Sequence, residues 1–278
     1  MGERLRTSHS LALSRRLLRT CVRKIVQCDT RDRELRIDCS LWFRGRHVVI
    51  VNSDLEPIRM SIMSMRSPIP HAHDLLLVKS TTIEEACMAE PAWVRPALTK
   101  YPWVVARRAI APEDRIAVGI RGQERQQRWG GFMRKDQIAK VIAPWHLRSA
   151  LAHTVRLSLP AMQSLCFLET ELASLSNDWG PGGSVGYELA SRAPVVMQQS
   201  DLDLVLSAPD CFDRDVAQDL LKKIAIAPVK VDVRIETPWC GFSLEEYAHG
   251  NSEKLLVRTA TGPVLTTDPW SKSMGRKQ

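Results

Sequence analysis

Closely spaced carboxylates are the residues of this sequence with the clearest chemical potential. Asp201 and Asp203 are separated by one leucine in the segment SDLDLVLSA (200–208). Because side chains alternate along a β-strand, both carboxylates project to one face if this segment is extended. Two carboxylates so close repel each other, which favours a cation between them, and Mg²⁺ prefers carboxylate together with phosphate oxygens. The pair therefore predicts a magnesium site for a nucleotide or polyphosphate substrate.

A second alternating segment, KVDVRIET (230–237), carries another carboxylate of this kind. Asp232, Arg234 and Glu236 share one face of the expected strand, and the valines and isoleucine between them share the other. If this strand pairs beside the first, Asp232 completes a three-carboxylate cluster. Metal ions bound by such a cluster would activate an attacking oxygen and stabilise a pyrophosphate leaving group.

The glycine-rich loop GPGGSVG (180–186) precedes these strands. Glycines let backbone amides approach an anion, and the helix expected after the loop offers its N-terminus. We expect Ser184 to cap that helix and to donate to a phosphate oxygen. No lysine follows the glycines, so the loop is not a Walker A motif. Alone, each of these features is more often a turn or a solvated strand edge, but their order favours a functional interpretation.

Three arginines form a candidate anion-binding group. Arg121, Arg125 and Arg128 fall at positions i, i+4 and i+7, which places them on one face if the run is helical. Such a face could bind a triphosphate or an acidic carrier protein. A solvated charged face is the commoner meaning of this spacing.

Other chemistry-bearing residues receive structural interpretations. The spacing His71-x-His73-Asp74 resembles a pair of metal ligands, but no third ligand is evident, so a capping or hydrogen-bonding role is predicted. Arg107 and Arg108 are expected on opposite faces of a strand, so at most one should reach a ligand. The seven cysteines include no CxxC pair, which argues against a zinc site and favours free thiols in a reducing cytoplasm.

The hydrophobic pattern predicts the elements that must position these residues. It indicates an α+β fold, with a small α+β domain over residues 69–155 and a mixed sheet with packed helices over residues 156–278. Strands are expected over 71–79, 103–110, 115–122, 200–208 and 230–237, and helices over 83–99, 161–175, a short segment ending at 190, and 213–224. A polar, helix-like run is expected after residue 122.

The basic balance of the chain is concentrated in its first quarter. The 278 residues carry a net charge of +8, but residues 1–68 alone hold 14 basic and 7 acidic side chains. This segment is a basic arm or transit peptide, an extra structural element, or a reading frame that begins upstream of the natural start, which we favour. None of its arginine runs is interleaved with aromatics, so nucleic-acid binding is not expected. The sequence contains no long apolar run, so no membrane span is predicted.

Seven segments in a fixed order carry a resemblance to a known family. The chain resembles the nucleotidyltransferase superfamily in its Gly-Ser loop and Asp-x-Asp. More narrowly, it is similar to the malonate decarboxylase holo-acyl-carrier-protein synthases, also called phosphoribosyl-dephospho-CoA transferases. The resemblance covers about residues 71–270 and rests on HDLL (73–76), PWVVARR (102–108), VGIRGQERQQR (118–128), WGPGGSVGYELA (179–190), SDLDLVL (200–206), VDVRIETPWCGFSLEEYA (231–248) and LLVRTATGPVLTTDPW (255–270).

The resemblance implies a specific reaction and fold. Triphosphoribosyl-dephospho-CoA would be joined to a serine of the acyl-carrier subunit of malonate decarboxylase with release of pyrophosphate, on a nucleotidyltransferase-like mixed sheet. It also implies that Asp201 and Asp203 are the catalytic, metal-binding pair and that Gly183 and Ser184 hold the polyphosphate. Asp232 would be the third carboxylate, with Glu236 competing for that role.

Other functions stay open at this point. One is a nucleotidyltransferase with another acceptor, such as the citrate lyase carrier protein or a small molecule. Another is a non-catalytic nucleotide-binding regulator, which the complete carboxylate set argues against.

Overall fold

The computed structural model describes residues 39–43, 46–50, 70–79, 89–250 and 254–272. The chain divides into two compact units, Met1–Ser64 and Met65–Gln278. In the first unit, strands β1 (Cys39–Phe43) and β2 (Arg46–Ile50) pair in antiparallel orientation. The rest of the predicted N-terminal extension and the first part of the helix expected from residue 83 lie outside the described residues.

A five-stranded antiparallel sheet opens the second unit. It consists of β3 (Leu75–Val78), β4 (Trp103–Ala106), β5 (Arg115–Arg121), β6 (Arg128–Arg134) and β7 (Ile138–Ile142), in the order β6-β5-β4-β3-β7. Helix α1 (Val94–Lys100) packs on one face through Val94 and Leu98, which join a core with alternate strand residues such as Leu76 and Val104. The period-2 pattern thus determines which side chains are buried, and β3, β4 and β5 lie within the predicted strands.

The helix-like run predicted after residue 122 is wrong. Arg121 ends β5 and lies directly opposite Arg128, which begins β6, so the segment between them is the turn of a hairpin. On β6, Trp129 and Met133 pack toward the core of the sheet, and Gly130 lies on the opposite face with Arg128. Burial of alternate residues outweighs the helical spacing of the arginines.

A six-stranded mixed sheet forms the rest of the second unit. Its strands are β8 (Trp179–Pro181), β9 (Leu202–Ser207), β10 (Val231–Glu236), β11 (Gly241–Ser243), β12 (Leu255–Thr259) and β13 (Gly262–Thr266), in the order β13-β12-β11-β10-β9-β8. Its helices are α2 (Pro160–Glu171), α3 (Gly183–Ser191), α4 (Arg214–Ile224) and α5 (Leu244–His249). A 3₁₀ helix, Pro144–His153, follows β7, and a shorter one, Lys135–Gln137, precedes it. The architecture confirms the predicted α+β class.

The crossover β9–α4–β10 determines the geometry of the site. Parallel strands need a connection that returns the chain to the same edge, and α4 supplies it. Ala217, Leu220 and Ile224 recur at helical spacing along α4 and are buried. The two strands are therefore neighbours in the sheet, with their first residues at the same edge. In the described part of the chain, no helix has the length and apolar character needed to cross a bilayer.

Candidate functional site

The two predicted carboxylate strands lie side by side. In the parallel register of β9 and β10, Asp203 is the direct partner of Asp232. Each aspartate is preceded and followed by residues that point into the sheet's opposite face, as alternation requires. Asp201 lies immediately before β9, two residues from Asp203, and Asp232 also forms an ion pair with Lys230 at 3.3 Å. The structure thus brings Asp203 and Asp232 together as the sequence predicted.

Asp203 is the carboxylate most affected by its surroundings. Burial raises its pKa, and the negative charges of Asp201 and Asp232 raise it further. The charges of Arg128 and His73 act in the opposite direction but more weakly. The carboxylates therefore repel one another around a partly buried position, which is the arrangement that a bound cation relieves.

The first residue of helix α3 lies in close contact with Asp203. Gly183, the first residue of the helix, has φ +51, and a β-carbon at this position would collide with Oδ2 of Asp203. The backbone N–H of Gly182 donates to the backbone oxygen of Asp203 at 2.9 Å. Only glycine combines this backbone conformation with so close an approach, which explains the glycine at position 183.

The predicted helix cap at Ser184 is wrong. The helix begins at Gly183, so Gly182 occupies the cap position and makes no side-chain capping bond. Ser184 and Gly186, which were expected in the loop, lie inside the first turn of α3, and Ser184 is 8% exposed. The cap residue is thus two positions earlier than predicted.

A cavity of about 620 Å³ lies between the two sheets of this unit. Asp203 and Asp232 line one wall with Gly182 and Gly183, whereas Asp201 and Ser184 are not part of the lining. Among the described residues, four arginines also line it: Arg107, Arg121, Arg128 and Arg234. With more guanidinium groups than carboxylates, the cavity suits a polyanion.

The hairpin arginines face the cavity without carboxylate partners. Within the described part of the chain, neither Arg121 nor Arg128 forms an ion pair, and Nε of Arg121 is buried with no hydrogen-bond partner. Burial lowers the pKa of Arg121, and the neighbouring Arg128 lowers it further. Arg125 lies exposed in the turn and does not line the cavity. Two of the three predicted arginines are thus brought together, and the third is not.

The side chain of Arg107 reaches the same cavity by lying over two glycines of the five-stranded sheet. Strand β4 ends at Ala106, so Arg107 and Arg108 do not alternate along a strand as predicted. Gly119 and Gly130 are direct partners on β5 and β6, and the side chain of Arg107 lies over both of them. A β-carbon at Gly130 would collide with the Arg107 guanidinium. The glycine pair therefore leaves room for Arg107 on the sheet surface.

Glu236 serves a different purpose from Asp232. It lies on the same face of β10, but it does not line the cavity. Its Oε1 accepts a hydrogen bond from Nε2 of His73 at 2.9 Å, and its Oε2 pairs with the Arg108 guanidinium. Glu236 therefore pairs with protein side chains, whereas Asp232 lines the cavity.

The oxygen donors fit Mg²⁺ when substrate phosphates complete its coordination. Within the described ranges, no three His, Cys, Asp or Glu side chains converge closely enough to bind a metal ion by themselves. Mg²⁺ is usually bound by one or two carboxylates plus substrate phosphates, and Asp203 and Asp232 match that donor set. Burial and the charges of Asp201 and Asp232 raise the pKa of Asp203, and a cation bound by these carboxylates would offset their mutual repulsion.

Two family models match consecutive parts of the chain. The phosphoribosyl-dephospho-CoA transferase MdcG N-terminal domain matches residues 71–144, and the corresponding C-terminal domain matches residues 146–269. The chain belongs to the phosphoribosyl-dephospho-CoA transferase family. This confirms the resemblance found in the sequence and makes the protein a transferase.

Curated relatives carry the same name. A phosphoribosyl-dephospho-CoA transferase of Pseudomonas aeruginosa is 40% identical over 204 residues, which cover 72% of this chain and 94% of the relative. Those of Pseudomonas fluorescens and Klebsiella pneumoniae strain 342 are 37% and 35% identical, with 73% and 74% of this chain and 95% and 98% of the relatives covered. No solved structure matches the chain.

Some cavity residues of this phosphoribosyl-dephospho-CoA transferase were missed in the sequence. Arg234 was noted only as a strand residue, and His73 was given a capping role. His73 has no local signal, because it reaches the cavity only through the packing of one sheet against the other. The alternation of KVDVRIET does place Arg234 on the face of Asp232, and that pattern could have identified it.

Proposed function

We propose that this transferase moves the 2′-(5″-phosphoribosyl)-3′-dephospho-CoA group from triphosphoribosyl-dephospho-CoA to a serine of the acyl-carrier subunit of malonate decarboxylase, releasing pyrophosphate. One observation carries the proposal: a cavity lined by paired carboxylates on one wall and arginines without carboxylate partners on the other. The family name supplies the transferred group, and the cavity chemistry suits a polyphosphate donor.

The arginines and the glycine pair would bind the triphosphate of the donor. Arg121 and Arg128 are cross-strand partners that both line the cavity, and guanidinium groups suit phosphate oxygens. Gly182 and Gly183 lie at the N-terminus of α3, where backbone amides and the helix dipole favour an anion. These contacts would hold the α-phosphorus near Asp203, in line for attack.

Asp203 and Asp232 would hold Mg²⁺ against the donor phosphates, with Asp201 adding negative charge beside them. When bound, Mg²⁺ would neutralise charge on the transferred and departing phosphates. The arginines would stabilise the same negative charge as the bond to pyrophosphate breaks. Phosphoryl-type transfer depends mainly on positioning and charge neutralisation, which these residues would supply.

The cysteines support a reducing compartment for this enzyme. Cys166, Cys211 and Cys240 are free thiols among the described residues, and Cys166 and Cys211 are exposed. Exposed free thiols are typical of proteins in reducing surroundings. We therefore place the enzyme in the cytoplasm, where its carrier-protein partner and nucleotide donor would also be found.

The acceptor is tested by competition between carrier proteins. Purified enzyme, donor and Mg²⁺ are incubated with the apo-carrier of malonate decarboxylase or of citrate lyase, and pyrophosphate release is followed. We expect release with the malonate decarboxylase carrier and little with the other. Faster release with the citrate lyase carrier would mean that this carrier, and not that of malonate decarboxylase, is the acceptor. Release without any carrier would indicate a small-molecule acceptor such as water. Donor binding with no release under any condition would indicate a nucleotide-binding regulator.

A further inference from the structure

A histidine from the five-stranded sheet meets a glutamate from the six-stranded sheet beside the cavity. His73 lies in the turn before β3 and lines the cavity with Asp203. Its Nε2 lies 2.9 Å from Oε1 of Glu236, at the end of β10. The proposed phosphate and metal ligands do not include this pair, so its role is a separate question.

The turn holds His73 in a strained and fixed conformation. His73 has φ 75, and within the described residues only one other non-glycine residue, Arg192, has a positive φ. Its backbone N–H donates to the oxygen of Ala106 at 2.9 Å, while the buried Asp74 accepts the backbone N–H of His71 at 2.9 Å. Strain of this kind at a cavity is typical of functional residues.

Glu236 is itself held in place. Its side chain is 14% exposed, and its second oxygen pairs with the guanidinium of Arg108. A carboxylate at Nε2 favours the tautomer that carries its proton on Nε2, which leaves the lone pair of Nδ1 as the acceptor. In the described ranges, no residue forms a hydrogen bond to Nδ1 of His73.

We propose that His73 is the general base that accepts the proton of the acceptor serine, and that Glu236 is its positioning residue, held in turn by Arg108. The inference rests on the proposed function and names a base for its attacking hydroxyl. The arrangement of base and orienting carboxylate is the one by which many enzymes activate a hydroxyl nucleophile.

The proposed step moves one proton from the serine to His73 and one phosphoryl-linked group from the donor to the serine. The serine O–H bond breaks and its proton moves to Nδ1 of His73, while the serine oxygen forms a bond to the α-phosphorus of the donor. The bond from that phosphorus to the β-phosphate oxygen breaks, and pyrophosphate leaves with the electron pair. The His73 imidazolium, stabilised by Glu236, then returns its proton to solvent or to the departing pyrophosphate.

The test distinguishes a catalytic role of His73 as a base from a structural role in which it only joins the two sheets. His73→Asn tolerates a positive φ and lacks a basic nitrogen, so the fold should survive. We expect kcat for transfer to fall roughly 10²–10⁴-fold with little change in donor affinity. Glu236→Gln should lower kcat less, by roughly 10–100-fold. His71→Asn, two residues away and exposed, is the matched control and should retain wild-type kcat.

Chemical rescue decides the matter. His73→Gly also tolerates a positive φ and leaves space for a small base, so added imidazole should restore transfer in a concentration-dependent manner. A kcat unchanged in His73→Asn would overturn the proposal. So would loss of transfer without imidazole rescue in a variant that binds donor normally. Wild-type enzyme that transfers nothing would instead contradict the proposed function.

Discussion

Asp203 is the residue on which the candidate site depends most. Its carboxylate lies against the first residue of α3, its neighbour across the sheet is Asp232, and Asp201 lies two residues before it. Alternation along the two strands was enough to predict that Asp203 and Asp232 share a face once β9 and β10 pair, whereas Asp201 precedes β9 and does not line the cavity. The close approach of Gly183 could not be predicted, since it depends on how α3 meets β9.

Replacing Gly183 should separate activity from stability. The β-carbon of Gly183→Ala would displace the Asp203 carboxylate, so we expect transfer to fall by about 10²-fold, the effect of a misplaced reacting group. The positive φ adds a stability cost of about 1 kcal/mol. Steady-state transfer rates and denaturant unfolding measure the two effects.

Gly262→Ala is the matched control for this prediction. Gly262 also has a positive φ, 124, but a β-carbon there meets nothing within 4 Å. It should lose stability from the backbone alone and retain activity. Equal activity in the two variants would show that Gly183 is needed for its backbone conformation and not for the space that Asp203 occupies.

At the scale of elements, the β5–β6 hairpin is a case in which residue spacing predicted the wrong secondary structure. Arg121, Arg125 and Arg128 have helical spacing, yet two of them meet as partners across antiparallel strands. Periodicity cannot distinguish these outcomes when the polar run is short, because residues seven apart can be neighbours in either. Trp129 and Met133 are four residues apart, a spacing that fits either structure, so the hairpin is determined by the pairing of β6 with β5.

The hairpin arginines should govern donor binding. Arg121→Gln and Arg128→Gln each remove one cationic donor from the cavity, and hydrogen bonds to charged groups contribute about 1.5–3 kcal/mol. We expect donor affinity to weaken roughly 10–100-fold in each, as measured by calorimetric titration. Arg125→Gln lies in the exposed turn of the same hairpin and should bind donor normally. An Arg125 effect as large as the others would favour a general charge effect over direct contact.

Asp74, in the turn before β3, is expected to make the stability of the fold depend on pH. Burial raises the pKa of Asp74 above its usual 3.8, so the folded state retains the proton more firmly than the unfolded state. This contribution is fully present below the unfolded pKa and is lost as pH rises through the folded value. Asp74→Asn cannot ionise, and its amide oxygen can still accept the His71 N–H.

The measurement is the free energy of unfolding of both proteins at several pH values. Relative to Asp74→Asn, the wild type should lose stability as pH rises from below 4 toward neutrality. A difference that stays constant with pH would mean that burial does not perturb the Asp74 carboxyl.

At the scale of the whole molecule, the site exists only because two sheets face each other. His73 meets Glu236 across 163 residues of sequence, and Arg107 faces the same cavity as Asp203. The sequence predicted the α+β class, four of the five described α-helices and five of the thirteen described strands, since these follow from local periodicity. It could not predict contacts between distant elements, which depend on how the two cores pack. The basic first 68 residues lie outside the family match, which begins at residue 71.

The most direct test of the account is the intact mass of the apo-carrier of malonate decarboxylase after incubation with enzyme, triphosphoribosyl-dephospho-CoA and Mg²⁺. The wild type should add one phosphoribosyl-dephospho-CoA group to the carrier. Asp203→Asn should fold and add none, whereas Asp215→Asn, on the exposed first turn of α4, should act as the wild type does. A carrier left unmodified by folded wild-type enzyme, or modified equally by Asp203→Asn, would contradict the account.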